Sequence, residues 1–506
     1  MQSFKQSGVV RAFSADFCAS SSKAMHYFRT FLCFIFAIIS LILQPVNAQN
    51  SRKSQEIDQY LREIQAKSNI PGFAIAVVTK DSVIFSKGYG ADSKGIPINS
   101  RSPFAIASLS KAFTAMAVMQ LAEQGKMNID NSINQYIPTF KLADPRGAKM
   151  TVRQVLNQVS GLNDKVFPEL AFKTEPENLD KAIERLNDVK LADDPGTRFT
   201  YHNPNYQILA KVVEQVSGQP FDKYLEANIF KPLQMSGTKS VSSTSALSSS
   251  SSGFSDGHIF AFGKAIPLHE PDWFIEGAAG VVSTADDMAK WLRLQLNQGK
   301  LGDVTLLDST TLKMMHNAPT GKPYGMGWFV GKDGTLSHSG ILWTYSAEQI
   351  ITKNGYGVVI LFNGGINAFE DYHAFIQGVT DILENKKPEV PTFPAWVFPI
   401  TLNVALLIGI FFVILRLFRI EQWYRNHQKR PRWKSRLLLF SRLVPMLILV
   451  LLPVLVTMLS GRVLSWRRIY LMAPDFLTLF SIVALLNLVL VFSRLLSFNA
   501  RPLKPN

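Results

Sequence analysis

Cysteine is almost missing from this chain of 506 residues: there are two, Cys18 and Cys33, both within the first 48 positions. If that leading stretch is removed on export, the remainder has none. Disulfides, cysteine-based zinc sites and thiol nucleophiles are then excluded together. No cysteine follows the apolar leader in the place a lipoprotein anchor needs. The eight histidines show no ligand-like spacing, so no metal and no cofactor is expected. Acidic residues are scarce at the ends alone: residues 1–48 carry four basic and one acidic residue, 49–392 carry 34 and 35, and 393–506 carry 15 and 2. The net charge of +15 therefore belongs to the ends. It gives no support to nucleic-acid binding by the middle and suits a membrane topology better.

What is present begins with a weakly basic stretch around Met25, an apolar run over 31–43, and small residues at Val46 and Ala48. That layout predicts a signal peptide over 1–48, with Met25 as a second candidate start. An uncleaved N-terminal anchor is the other reading, although the apolar run is short for a span. At the other end, three apolar stretches predict transmembrane helices over 393–415, 437–459 and 469–492, with Arg442 and Asp475 as intramembrane charges to watch. The basic residues between the first two make 416–436 a cytoplasmic loop. The exported domain, 49–392, is then outside and the tail 493–506 inside. Arg462, Arg467 and Arg468 fall on the outer side and do not suit this topology.

Within 49–392, a polar helix pattern over 51–67 ends at Pro71-Gly72. Two strand patterns follow, 73–78 and 82–86, and then a long apolar helix pattern from Ser108. Helical patterns occupy 151–161, 176–190 and 206–218; the Ser-rich stretch 241–258 predicts a flexible surface loop; strands return at 324–330, 334–338, 346–351 and 356–362, before a closing helix over 372–383. Strands at both ends with helices between predict an α+β domain: one antiparallel sheet built from both ends, with an inserted helical region.

The chemistry concentrates at Ser108-Leu-Ser-Lys111. Residues three apart on a helix share a face, and a serine hydroxyl needs a neighbour that takes its proton, as a desolvated lysine does. Four letters alone prove little, since Ser20-Ser-Ser-Lys23 fits as well. Tyr201-His-Asn203 and His338-Ser-Gly340 follow in the same exported segment, whereas Tyr424-Arg-Asn426, a chance match to Tyr-x-Asn, lies in the basic loop. Taken with their flanking text, including Val-Leu-Asn-Gln-Val-Ser-Gly-Leu, Pro-Gly-Thr-Arg-Phe-Thr-Tyr-His-Asn and Gly-Ala-Ala-Gly-Val-Val-Ser-Thr-Ala-Asp-Asp-Met, these motifs resemble the serine β-lactamase-like family. The branch is that of class C β-lactamases, D-Ala-D-Ala carboxypeptidases and esterases, and the likeness covers about residues 55–385.

The resemblance implies that Ser108 is acylated and that Lys111 and Tyr201 share the proton work, with Tyr201 ionised or hydrogen-bonded to Lys111. Asn203 orients the substrate amide, and His338 holds the place of the third-motif lysine, followed by Gly340. The backbone N–H groups of Ser108 and Ile341 form an oxyanion hole. His-x-Gly at the third motif resembles peptidase and esterase members rather than efficient antibiotic hydrolases. Two functions follow as expectations. One is a multi-pass, membrane-anchored extracytoplasmic serine hydrolase of D-alanyl peptides, amides or esters related to cell-wall material. The other is a penicillin-binding sensor that acylates without turnover and signals through, or assembles by, its transmembrane helices with a membrane-protein partner. The bilayer and a small peptide, amide or ester are the expected partners.

Overall fold

The computed structural model describes residues 52–250, 253–427 and 431–500. The expected leader 1–48, with Cys18, Cys33 and Met25, lies outside them, as do Ser251, Ser252, Lys429, Arg430 and residues 501–506. Two compact units divide between Gln59 and Tyr60; the described part of the first is the helical stretch from residue 52, and all that follows concerns the second.

Six strands, β1 (Gly72–Val78), β2 (Val83–Gly90), β3 (Phe329–Val330), β4 (Leu336–Ile341), β5 (Ser346–Ile351) and β6 (Gly357–Phe362), form one sheet in the order β3-β4-β5-β6-β1-β2. Every neighbouring pair is antiparallel, with β1 registered on β6 through Phe73↔Phe362 and Ile75↔Ile360. The two ends of the domain thus complete a single sheet, as their strand patterns predict. β1 is apolar throughout because both of its faces are covered. The ring of Phe73 packs on Phe362 and on Phe375 of helix α4 (Tyr372–Leu383). Ala74, Ala76 and Val78 point the other way, into the main core. At the centre of that core runs α1 (Ser110–Glu123), buried at every position from Ser110 to Leu121. Helices apolar all round are buried all round, which is why this one shows no polar stripe. Beside it lie α2 (Pro204–Ser217) and α3 (Ala285–Leu296), the latter capped by Thr284, whose hydroxyl accepts from the Asp287 N–H.

Three expectations differ locally. The Ser-rich stretch 241–258 is built into the domain in its described part: Thr244, Leu247 and Phe254 are buried, and a strand begins at Gly257. Its polarity is satisfied internally, since the Thr244 hydroxyl donates to the Pro271 carbonyl (2.9 Å) and accepts from the Trp273 N–H (2.8 Å). The helical pattern 176–190 reduces to Leu179–Glu184, capped by Asn178. The third apolar run breaks in two, α7 (Trp466–Met472) and α8 (Pro474–Ala500), after α5 (Val397–Phe418) and α6 (Val444–Ser460). Proline at 474 drives Ala473 out of helical geometry (φ −161°, ψ 70°), so the long helix starts there and not at 469.

Three apolar helices, Val397–Phe418, Trp433–Ser460 and Pro474–Ser497, have 22, 28 and 24 residues. At about 1.5 Å per residue each is long enough to cross the roughly 30 Å hydrocarbon core of a membrane. Asp475, in the first turn of α8, is paired: its Oδ2 accepts from the Asn403 side-chain amide of α5 and from the backbone N–H of Phe262, both at 2.6 Å. One carboxylate joins the first and third long helices to the domain.

Candidate active site

Ser108 sits in a 3-10 turn, Ala107–Leu109, that feeds α1. Ala107 holds a left-handed conformation (φ 48°) that costs a non-glycine residue energy, so the surroundings must impose it. They do. The Ser110 hydroxyl donates to the Ala107 carbonyl (2.6 Å) and accepts from the Val281 N–H (2.9 Å), while the Ile106 N–H donates to the Val281 carbonyl (3.0 Å). The Gly-Ala-Ala-Gly-Val-Val motif is therefore the brace of the nucleophile turn.

Side chains at i and i+3 eclipse in a 3-10 turn, and Lys111 meets Ser108 there. Its Nζ donates to Ser108 Oγ (3.0 Å), Asn203 Oδ1 (2.8 Å) and the Ala278 carbonyl (2.9 Å). All three acceptors are uncharged and the lysine is fully buried. Burial holds its pKa well below the usual lysine value, and the charge of Arg462 adds to this against the opposing pull of Glu169. Deprotonated, the amine keeps two N–H groups for Asn203 and Ala278 and turns its lone pair to Ser108.

Tyr201 differs from the role the resemblance implies. Lys111 Nζ stands over its ring, 4.8 Å from the centroid, and the Tyr201 hydroxyl is buried without a hydrogen-bond partner, although Ser108 is close enough to lower its pKa slightly. Burial dominates and raises the phenol, so an ionised Tyr201 is disfavoured at neutral pH. Asn203 also has both ends committed inside: Oδ1 to Lys111, and Nδ2 to Glu169 Oε1 (2.8 Å). It orients the lysine. His338 occupies the third-motif position without the charge of a lysine: Nδ1 pairs with the Ser339 carbonyl (2.7 Å) and Nε2 with the Tyr324 hydroxyl (3.0 Å). Burial, helped by the nearby Lys111, lowers its pKa to about 3. Gly340 lets β4 lie against the nucleophile turn, since a Cβ there would stand 2.4 Å from the Ile106 carbonyl oxygen. That approach brings Ile341 beside Ser108.

Ser108, Tyr201, Asn203, His338 and Ile341 line one cavity of about 390 Å³, with Lys111 hydrogen-bonded to two of them and Gly340 packed on the nucleophile turn. All seven residues singled out in the sequence converge there. Others were not singled out. His202 Nδ1 pairs with Asp164 Oδ1 (3.0 Å), and Asp164, Glu169 and His202 lie close enough to hold a metal, a grouping that histidine spacing does not reveal. In this chain the acids already have a cation: Arg462, from the turn after α6, donates through Nε to Asp164 (2.9 Å) and through Nη2 to Glu169 (2.6 Å). Burial opposes the Arg462 charge, and the two carboxylates outweigh it and raise its pKa. The signal that could have found it was its position: three arginines on the side where basic residues are unexpected.

Comparison with known proteins agrees with this geometry. The Beta-lactamase family profile matches residues 57–377, well over half of the chain. Protein flp of Staphylococcus aureus (strain MW2) is 27% identical over 317 residues, 61% of this chain and 63% of the relative, so the chain spans less than two-thirds of that protein's length. A putative penicillin-binding protein, PbpX, of Bacillus subtilis (strain 168) is 29% identical over 314 residues, 62% of this chain and 74% of the relative. The octameric penicillin-binding protein homologue from Pyrococcus abyssi shares the fold, with a TM-score of 0.57 at 21% identity over 66% of this chain and 78% of that one. The chain belongs to the Beta-lactamase family.

Proposed function

We propose that this protein is a membrane-anchored, extracytoplasmic hydrolase that acts through an acyl-enzyme on Ser108, on D-alanyl peptides, amides or esters related to cell-wall material. The observation that carries the reading is the contact of Ser108 Oγ with a buried lysine whose hydrogen-bond partners are all uncharged. Neutral Lys111 takes the Ser108 proton as Oγ bonds to the substrate carbonyl carbon. The oxyanion that develops is met by the backbone N–H groups of Ser108 and Ile341. As the C–N or C–O bond breaks, Lys111 returns the proton to the leaving group, with its amine over the ring of neutral Tyr201. Water then repeats the sequence on the acyl carbon and frees Ser108. The substrate class draws on the family resemblance and on the relative named a penicillin-binding protein.

Membrane topology is supported by charge. Arg462 pairs with Asp164 and Glu169, and Arg468 with Glu175 (3.0 Å). Two of the three arginines that break the positive-inside pattern thus have carboxylate partners in the domain, which supports placing that turn beside it, on the outer side. The test is Ser108→Ala in the full chain, assayed on a D-alanyl-D-alanine peptide, a D-amino-acid amide and a short-chain ester. Hydrolysis is expected to fall by about 10⁴-fold or more; equal rates in the two proteins would overturn the assignment.

A further inference from the structure

The wall of the Ser108 cavity opposite the lysine is not supplied by the hydrolase domain. Ser460, Arg462, Leu464 and Met472 line the same cavity as Ser108 and His338. Ser460 is the last residue of the second long apolar helix, and Met472 stands two positions before the third. Gly461, in a left-handed conformation (φ 70°), ends the one helix, and the chain then turns directly into the site. It is fastened there along its length. The Val463 N–H donates to Asp164 (2.9 Å), the Ser465 N–H to the Leu170 carbonyl (3.4 Å), and Arg462 spans both carboxylates, one of which holds Asn203. Farther along, the Arg468 guanidinium packs over Trp273 and Trp343, which also line the cavity.

Outside its polar floor the cavity is aliphatic and aromatic, with Leu170, Trp273, Trp343, Leu464 and Met472 facing Ile341, which is 51% exposed. A further apolar group stands at the start of the third long helix. The turn of the hairpin Gly257–Ala261/Lys264–Leu268 exposes Phe262 (54%), and the Phe262 N–H is held by Asp475 at the start of the third long helix. A small water-borne peptide needs none of this; a molecule with an apolar chain does.

We propose that the turn between the second and third long helices is a working wall of the active site, and that the substrate is an amphiphile of the bilayer. Its apolar chain lies along Leu464, Met472 and Trp343, and its ester or amide carbonyl is presented to Ser108. The inference rests on the acyl-enzyme reading and narrows its substrate class: the bond broken is the ester C–O or amide C–N, the acyl group passes to Ser108 Oγ and then to water, and the leaving group departs with the proton.

The experiment uses the full chain in lipid nanodiscs and compares kcat/KM for p-nitrophenyl decanoate and p-nitrophenyl acetate. Decanoate is expected to be preferred by about ten-fold or more, and Met472→Trp and Leu464→Trp, which fill the apolar wall, are expected to reduce that ratio by about ten-fold. A wild-type preference for acetate overturns the proposal whatever the variants do, and so does a ratio unchanged in both folded variants. Ser108→Ala keeps the two readings apart. If it hydrolyses both esters as well as wild type, the acyl-enzyme reading has failed; if it is inactive and the ratio shows no chain preference, only the amphiphile inference has.

Discussion

Two buried cations face the same cavity, one on the hydrolase side and one on the tail side, and their surroundings give them opposite characters. Lys111 is hydrogen-bonded to a hydroxyl, an amide oxygen and a carbonyl, and the more distant Glu169 offsets only part of the cost of burying its charge, so its pKa falls. Arg462, whose side chain is 20% exposed, grips two carboxylates, and its charge is held. The partners set the two groups apart more than the depth does. The two are also coupled, because the charge of Arg462 further lowers Lys111. On the proposed mechanism, a residue of the tail thereby helps to keep Lys111 deprotonated.

Exchanging the two side-chain types tests this contrast most severely. Lys111→Arg puts a group that does not deprotonate where a base is required, and kcat/KM is expected to fall about 10²- to 10⁴-fold. Arg462→Lys keeps a positive charge between Asp164 and Glu169 but loses the fork that reaches both. Its expected loss is no more than about ten-fold. Comparable losses in two variants that both melt cooperatively would break the comparison.

Removing the clamp altogether comes next in size. Arg462→Met leaves Asp164 and Glu169, both under 8% exposed at the side chain, without their cation. Breaking a buried pair in this way costs about 3 kcal/mol of stability, to be read as a shift in the denaturation midpoint of the full chain. The second readout is the pH profile. Arg462 lowers Lys111, and Glu169, which raises it, becomes unopposed in the variant, so both changes move the lysine pKa up. Lys111 acts as a base only when deprotonated, so the acidic limb of kcat/KM should move to higher pH. A variant that is destabilised while its limb stays in place makes Arg462 a structural strut and nothing more.

The hydrolase side of this comparison is legible in the sequence and the tail side is not, for a physical reason. Ser108 and Lys111 are a local pair whose spacing alone brings them together, and the sheet strands announce themselves as apolar runs such as 73–78. The antiparallel joining of the two ends follows from where those runs lie. Arg462 meets Asp164 across 298 residues of chain, and no periodicity encodes such a contact. Asn203 and Tyr201 both line the Ser108 cavity, yet their surroundings, Glu169 and a desolvating pocket, are not contained in the motif. The Ser-rich stretch misleads for a similar reason: Thr244 satisfies its hydroxyl against residues 271–273, so a polar composition does not keep it out of the domain.

The smallest effect concerns a third group beside the first two. His338 lies next to Lys111 with both ring nitrogens on uncharged partners, the Tyr324 hydroxyl and the Ser339 carbonyl, and like the lysine it is held neutral, at a pKa of about 3 against an ordinary 6.5. Because it does not gain a proton in the working range, His338→Gln should leave the acidic limb of kcat/KM where Lys111 sets it, with a loss of about ten-fold or less. The sign for stability follows from the same shift. Between about pH 6.5 and pH 3 the unfolded chain binds a proton at this position and the native chain does not, so stability is complete above 6.5 and falls as the pH drops through that window. The histidine adds a slope of at most about 1.4 kcal/mol per pH unit. Denaturation midpoints of wild type and His338→Gln should therefore converge on acidification from pH 7 to pH 4. If the difference between them stays constant with pH, His338 takes up its proton at the same pH in the native and the unfolded chain, and the rule that uncharged partners leave a buried base neutral fails at this position.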